Sequence, residues 1–110
     1  MTLTDMAIAV LQELRVLHAD ETPSANDDTL VKARYERWRS LAAKRFLVDW
    51  DATDEIPAGA EDAVTLIVAY MCAPAFGKPQ DPAMKDTGRT MLWEYRDNWA
   101  PTQPMQMTYF

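Results

Sequence analysis

Between Ile56 and Gly77 the chain reads IPAGAEDAVTLIVAYMCAPAFG, and from Ala63 to Gly77 it carries no charge. Ala63, Val64, Leu66, Ile67, Val68, Ala69, Tyr70, Met71 and Ala73 leave only Thr65 and Cys72 as mildly polar positions. A helix made of these residues is apolar nearly all round and must be buried on most of its sides. The run falls short of the roughly 20 apolar residues that cross a bilayer, and Glu61 and Asp62 stand directly before it. We read it as the central helix of a small soluble domain, with the other elements packed around it.

The rest of the chain has to supply that packing. At 110 residues it is long enough for one domain that buries about two thirds of its unfolded surface. Four Trp, four Tyr and three Phe are generous for that size and point to an interface as well as a core. A net charge of -6 disfavours a general nucleic-acid binder, because affinity for phosphate grows with the number of cations presented. Cys72 is the only cysteine and His18 the only histidine, so a disulfide or a Cys/His zinc site within one chain is excluded by count. The first residues lack the basic start, apolar core and cleavage site of a secretory signal, which fits a protein made in the cytoplasm.

A first amphipathic helix is predicted from Thr2 or Thr4 to about His18, since Leu3, Ala7, Val10, Leu14 and Leu17 recur at helical spacing. Ala19 to Pro23 reads as a loop. Ser24 and Asp27 have the spacing of a capping box, and a second helix follows with Val31, Tyr35, Trp38, Leu41 or Ala42, and Arg45 or Phe46 on one face. Six of the eleven basic residues, Lys32, Arg34, Arg37, Arg39, Lys44 and Arg45, lie in or just after this helix. They form either a solvated face or a surface that meets an acidic neighbour. Phe46 to Trp50 is a short β-prone run, expected as an extended connector with one or two strand pairings. Asp81-Pro82 opens a fourth helix with Met84, Thr87, Met91, Tyr95 and Trp99 as its buried stripe and Gly88 permitting a close helix crossing, and Pro101 ends it.

Asp49, Asp51, Asp54, Glu55, Glu61 and Asp62 make an acidic stretch with no cation in it. It does not fit a calcium loop: Asp54 stands where the turn needs Gly, and Ala60 where the bidentate Glu belongs. Residues 102–110 carry no charged side chain, and Met105, Met107 and Tyr109 alternate with Gln106, Thr108 and Phe110. That is strand spacing, suited either to folding back on the domain or to strand addition on a partner. The architecture expected is therefore all-α: a bundle of about four helices over residues 1–101 and an extended C-terminal tail over 102–110.

Catalytic groups are sparse. No strained nucleophile turn surrounds Ser24 or Ser40, Cys72 lies in the apolar run where a thiol behaves as a small hydrophobe, and Gly59, Gly77 and Gly88 cannot assemble a phosphate-cradling loop. The chain reads as a non-enzyme that needs neither cofactor nor metal.

Glu21-Thr22-Pro23-Ser24-Ala25 opening the second helix, Tyr35 within it, Trp50 ahead of Asp54-Glu55-Ile56-Pro57, and Ala73-Pro74-Ala75-Phe76-Gly77 closing the central helix come in a particular order. In that order and separation the chain resembles the head-to-tail connector (adaptor, or tail accessory factor) proteins of tailed bacteriophages, over roughly Leu14 to Gly77. It departs from them around Lys44-Arg45, where a turn glycine is replaced, and beyond Gly77, where no family pattern continues.

The resemblance implies a structural virion protein at the head-tail junction, assembled as a ring, commonly a dodecamer, beneath the portal protein. Such a ring extends the DNA channel, helps retain the packaged genome and seats the downstream nozzle or tail-tube protein. DNA passes through without specific binding, and no membrane is involved. Ring subunits meet through unlike faces, so Arg34, Arg37 and Arg39 are candidate contacts for a neighbour's Asp49, Asp51 and Asp54. Met105, Met107, Tyr109 and Phe110 are candidates for docking on the portal or a neighbour. The alternative is a small DNA-binding or packaging-associated helical protein that uses the cations of the second helix.

Overall fold

The computed structural model describes residues 1–45, 47–51 and 53–99, apart from the side chains of Asn98 and Trp99. Among the described residues there are four helices: α1 (Leu3–Glu13), α2 (Ala25–Lys44), α3 (Glu61–Cys72) and α4 (Pro82–Trp99). Short 3-10 segments, Ala58–Ala60 and Ala73–Phe76, extend α3 at both ends. No strand occurs among the described residues, so residues 47–51 of the connector make no ladder pairing, contrary to the strand pairings expected there. The tail residues Met105, Met107, Tyr109 and Phe110, and Pro101 before them, lie outside the described residues.

The apolar run is the hub. α3 packs against α1, α2 and α4, and Ala63, Val64, Ile67, Val68, Ala69 and Cys72 are buried. Ala58–Phe76, at 19 residues and mean hydropathy 1.2, has the length and composition of a bilayer-crossing helix. Half of it is buried inside the fold, where the other helices take up its apolar surface. Thr65, the polar residue in the run, satisfies its hydroxyl on the Glu61 carbonyl at 2.9 Å. The start of α3 is tied to the chain's first residue: Ile56 N–H donates to the Met1 carbonyl at 2.8 Å, and the Met1 ammonium lies 3.0 Å from Glu61.

α4 crosses α3 at close range because Gly88 has no side chain. A Cβ there would lie 2.7 Å from Ile67 Cγ1 and 3.1 Å from the Ala63 carbonyl oxygen. Of the expected stripe on α4, Met84, Met91 and Tyr95 are half-buried, the Trp99 side chain lies outside the described residues, and one position needs correction. Thr87 is exposed and Leu92 is buried in its place, since a helix turned to bring Gly88 against α3 presents the residue one turn later, not the residue before it.

The end of α1 is a second correction. The helix stops at Glu13 and not near His18, because Arg15 adopts a left-handed conformation with φ 59°. Arg15 N–H then donates to the Gln12 carbonyl at 3.0 Å and Val16 N–H to the Leu11 carbonyl at 2.9 Å. This is the paired arrangement by which helices commonly end at a glycine. The same pairing closes the segment after α3, where Gly77, φ 70°, donates to Pro74 and Lys78 to Ala73. At the other ends, Ser24 caps α2 by accepting from Asp27 N–H at 3.1 Å. A full, reciprocal capping box forms at Thr2 and Asp5 instead.

Candidate interaction surface

The acidic connector is held to the bundle by buried aromatic chemistry. Tyr35 on α2 and Trp50 in the connector are both buried, and the Trp50 indole N–H donates to the Tyr35 hydroxyl at 2.7 Å. A buried indole N–H needs such a partner. Tyr95 on α4 meets Trp50 edge to face, with ring centroids 5.8 Å apart, and its hydroxyl donates to Asp49 at 2.9 Å. Burial, with the Asp49 hydrogen bond and charge adding to it, pushes the Tyr95 phenol up to about 12. Burial also raises Tyr35, with the Trp50 hydrogen bond opposing it.

Three candidate contacts from the sequence are thereby engaged within the chain, Asp49 by the Tyr95 hydroxyl and two more beside it. Arg39 donates through Nη1 to the Trp50 carbonyl, and its Nε is buried without a partner. Its charge is committed to holding the connector. Asp54 accepts from Asp51 N–H at 3.1 Å and closes a turn. The basic residues of α2 do not form one face. Lys32 turns to Asp28 at 2.9 Å and to Thr4, and Arg34 is half-buried with its charge felt at Cys72. Arg37, Lys44 and Arg45 remain exposed, as do Asp49, Asp51 and Asp54. The opposition of basic and acidic surfaces therefore reduces to Arg37 and its exposed neighbours against the connector carboxylates.

A second feature arises only in three dimensions. The last turns of α2, the C-terminal half of α3 and the middle of α4 enclose a groove of about 360 Å³. Trp38, Leu41, Leu47, Met71 and Leu92 give it apolar walls, and Arg45, Lys85 and Arg89 stand among them. Among the described residues no carboxylate lines it. Leu41, expected as an inner residue of α2 in alternation with Ala42, is 51% exposed here while Ala42 is buried. The cations of α4 were visible in sequence as Lys85 and Arg89 one turn apart, but nothing local tied them to Trp38 or Leu47.

Elsewhere the chemistry is plain. Among the described residues no three His, Cys, Asp or Glu side chains are grouped to hold a metal ion. Ser24 is occupied as a helix cap, and His18 is exposed. Cys72 is fully buried; burial pushes its thiol up to about 11, against a small opposing pull from Arg34, which leaves it a poor nucleophile.

No protein-family model matches the chain, and neither a curated protein nor a solved structure matches it. The functional reading therefore rests on the residues and their geometry.

Proposed function

We propose that this chain is a structural head-to-tail connector subunit of a tailed bacteriophage, a non-enzymatic virion protein that assembles as a ring beneath the portal. In this reading it extends the DNA channel, helps hold the packaged genome and seats the next tail component. The observation that carries the reading is the buried Trp50–Tyr35 hydrogen bond at 2.7 Å. It joins two of the separated positions on which the family resemblance rests, and the other positions have fold-setting roles beside it: Ser24 caps α2, Ile56 pairs with Met1, and Gly77 closes the segment after α3. Residues whose order resembles a family and which also determine how the chain folds support a shared architecture better than scattered surface matches do.

Acidity supports the same reading. Asp51, Asp54, Glu55 and Asp62 are exposed in a chain of net charge -6, and a surface that repels phosphate lets DNA slide past. In this reading Arg37, exposed on α2, meets those carboxylates on a neighbouring subunit. Arg37→Glu tests this without disturbing the connector, which Arg39 holds: ring assembly on portal should weaken while the helical spectrum stays unchanged. Undiminished assembly would refute the contact.

One observation favours a second reading, the small DNA-binding protein. Of the six cations in or just after α2, three, Arg37, Lys44 and Arg45, are exposed. A salt-dependent mobility shift with duplex DNA at moderate ionic strength would support it over the connector.

A further inference from the structure

Among the described residues Leu41 and Trp93 are the large apolar side chains most open to solvent, at 51% and 46%, and the first of them borders the groove. Leu41 lines it, and Trp93 stands one helical turn beyond Arg89 on the same side of α4. Exposed apolar groups gathered at a concave site mark a binding surface. The groove's charge is the more telling property. In a chain with 17 acidic residues against 11 basic ones, the described residues that line the groove include three cations and no carboxylate. None of Arg45, Lys85 and Arg89 forms an ion pair among the described residues. Lys85 rests 5.5 Å above the Tyr70 ring, which keeps its ammonium at the groove.

We propose that this groove docks an acidic amphipathic segment of a partner protein. One or two large apolar side chains of that segment fill the space between Trp38, Leu47, Met71 and Leu92. Its carboxylates meet Arg45 at the α2 side and Lys85 and Arg89 at the α4 side. Lys85 and Arg89 are one helical turn apart, the separation of carboxylates at i and i+4 on a docked helix. The volume, about 360 Å³, is at the small end of the roughly 300–1,000 Å³ of ligand pockets and suits anchoring side chains. A nucleic-acid backbone would leave the apolar walls uncovered, and an uncharged segment would leave three cations partly desolvated without partners. The inference does not depend on ring assembly.

The probe is a synthetic helical peptide of about 15 residues with Leu and Phe at i and i+4, the spacing that puts both on one face, and glutamates on either side of that face. Its control carries Gln for every Glu. Fluorescence anisotropy of the labelled peptide against the full chain should show saturable binding, at least about tenfold weaker for the control and for the K85E/R89E variant, and weakening with salt. Both substitutions lie on the outer part of α4, and an unchanged urea midpoint confirms that the variant folds; Leu41→Gln, on α2, provides a second variant with the same expected loss. Equal binding of the Gln peptide, or no saturable binding of either peptide, would overturn the proposal. So would duplex DNA binding through these residues in the peptide's place, or self-association that K85E/R89E abolishes without any peptide binding, which would make a second copy the occupant.

Discussion

The indole nitrogen of Trp50 and the hydroxyl of Tyr35 lie 2.7 Å apart with both side chains buried, so the acidic connector is fastened to α2 by a polar bond inside the core. Tyr35→Phe removes the acceptor and leaves the indole N–H without a partner. The loss should be about 1–3 kcal/mol of stability, read from urea unfolding. A Tyr35→Phe/Trp50→Phe cycle should show a coupling of about 0.5–3 kcal/mol; additive effects would mean the bond is not what holds the connector.

Gly88 is fixed by contact and not by backbone conformation. Alanine would favour the helix by about 1 kcal/mol, but its Cβ would sit 2.7 Å from Ile67 Cγ1 and 3.1 Å from a backbone oxygen that cannot step aside. Overpacking of this kind costs about 1–3 kcal/mol. Gly88→Ala should therefore destabilise, and its cost should shrink when measured in an Ile67→Ala background, whatever that truncation costs by itself. A Gly88→Ala variant with a raised thermal midpoint would contradict the close crossing of α3 and α4.

Arg15 and Gly77 occupy the same left-handed conformation with opposite consequences for substitution. Around Gly77 there is open space, so Gly77→Ala introduces backbone strain alone, about 1–2 kcal/mol. Arg15→Gly relieves strain of that size, offset by roughly 0.5–1 kcal/mol of added unfolded-state freedom, and should leave stability unchanged or slightly raised. Thermal unfolding of the two variants should move in different directions or differ clearly in size.

These positions also mark where the sequence was readable. The buried hub, the Gly77 stop, the Asp81 start and the close approach at Gly88 all follow from residue types with narrow physical roles. Arg15 gave no such signal, because arginine rarely adopts positive φ, and α1 was expected to run on to His18. Thr87 for Leu92 was an error of phase: apolar spacing alone did not reveal that Gly88 defines the contacting line of α4. The groove was not readable at all, since its walls come from residues 38–47, 67–71 and 85–92 and exist only once three helices have packed. For the basic residues of α2 composition was legible but direction was not, and nothing local showed that Arg39 turns inward to the Trp50 carbonyl.

Tyr95 gives the fold a pH dependence at its alkaline end. The free phenol titrates near 10, and in the fold it is raised to about 12, chiefly by burial and then by Asp49. Because the folded state holds the proton more tightly, this contribution is complete below pH ~10 and is lost as pH rises from about 10 to about 12. Absorbance titration at alkaline pH should show Tyr95 ionising late, and Tyr95→Phe should remove that late step and flatten the fall in stability over the same window.

Cys72 should be silent toward thiol reagents while the chain is folded. Its sulfur is buried and its thiol is raised to about 11, so the thiolate fraction at neutral pH is very small. Labelling by an aromatic disulfide should proceed only at the rate of unfolding and become rapid in denaturant. Fast labelling under native conditions would show that the end of α3 opens locally.

The connector assignment is tested most directly by native mass spectrometry of the purified chain alone and after mixing with the portal protein of the same phage. The expected result is a monomer by itself and a closed ring of copies bound to the portal in the mixture. A chain that stays monomeric and leaves the portal mass unchanged would contradict the assignment.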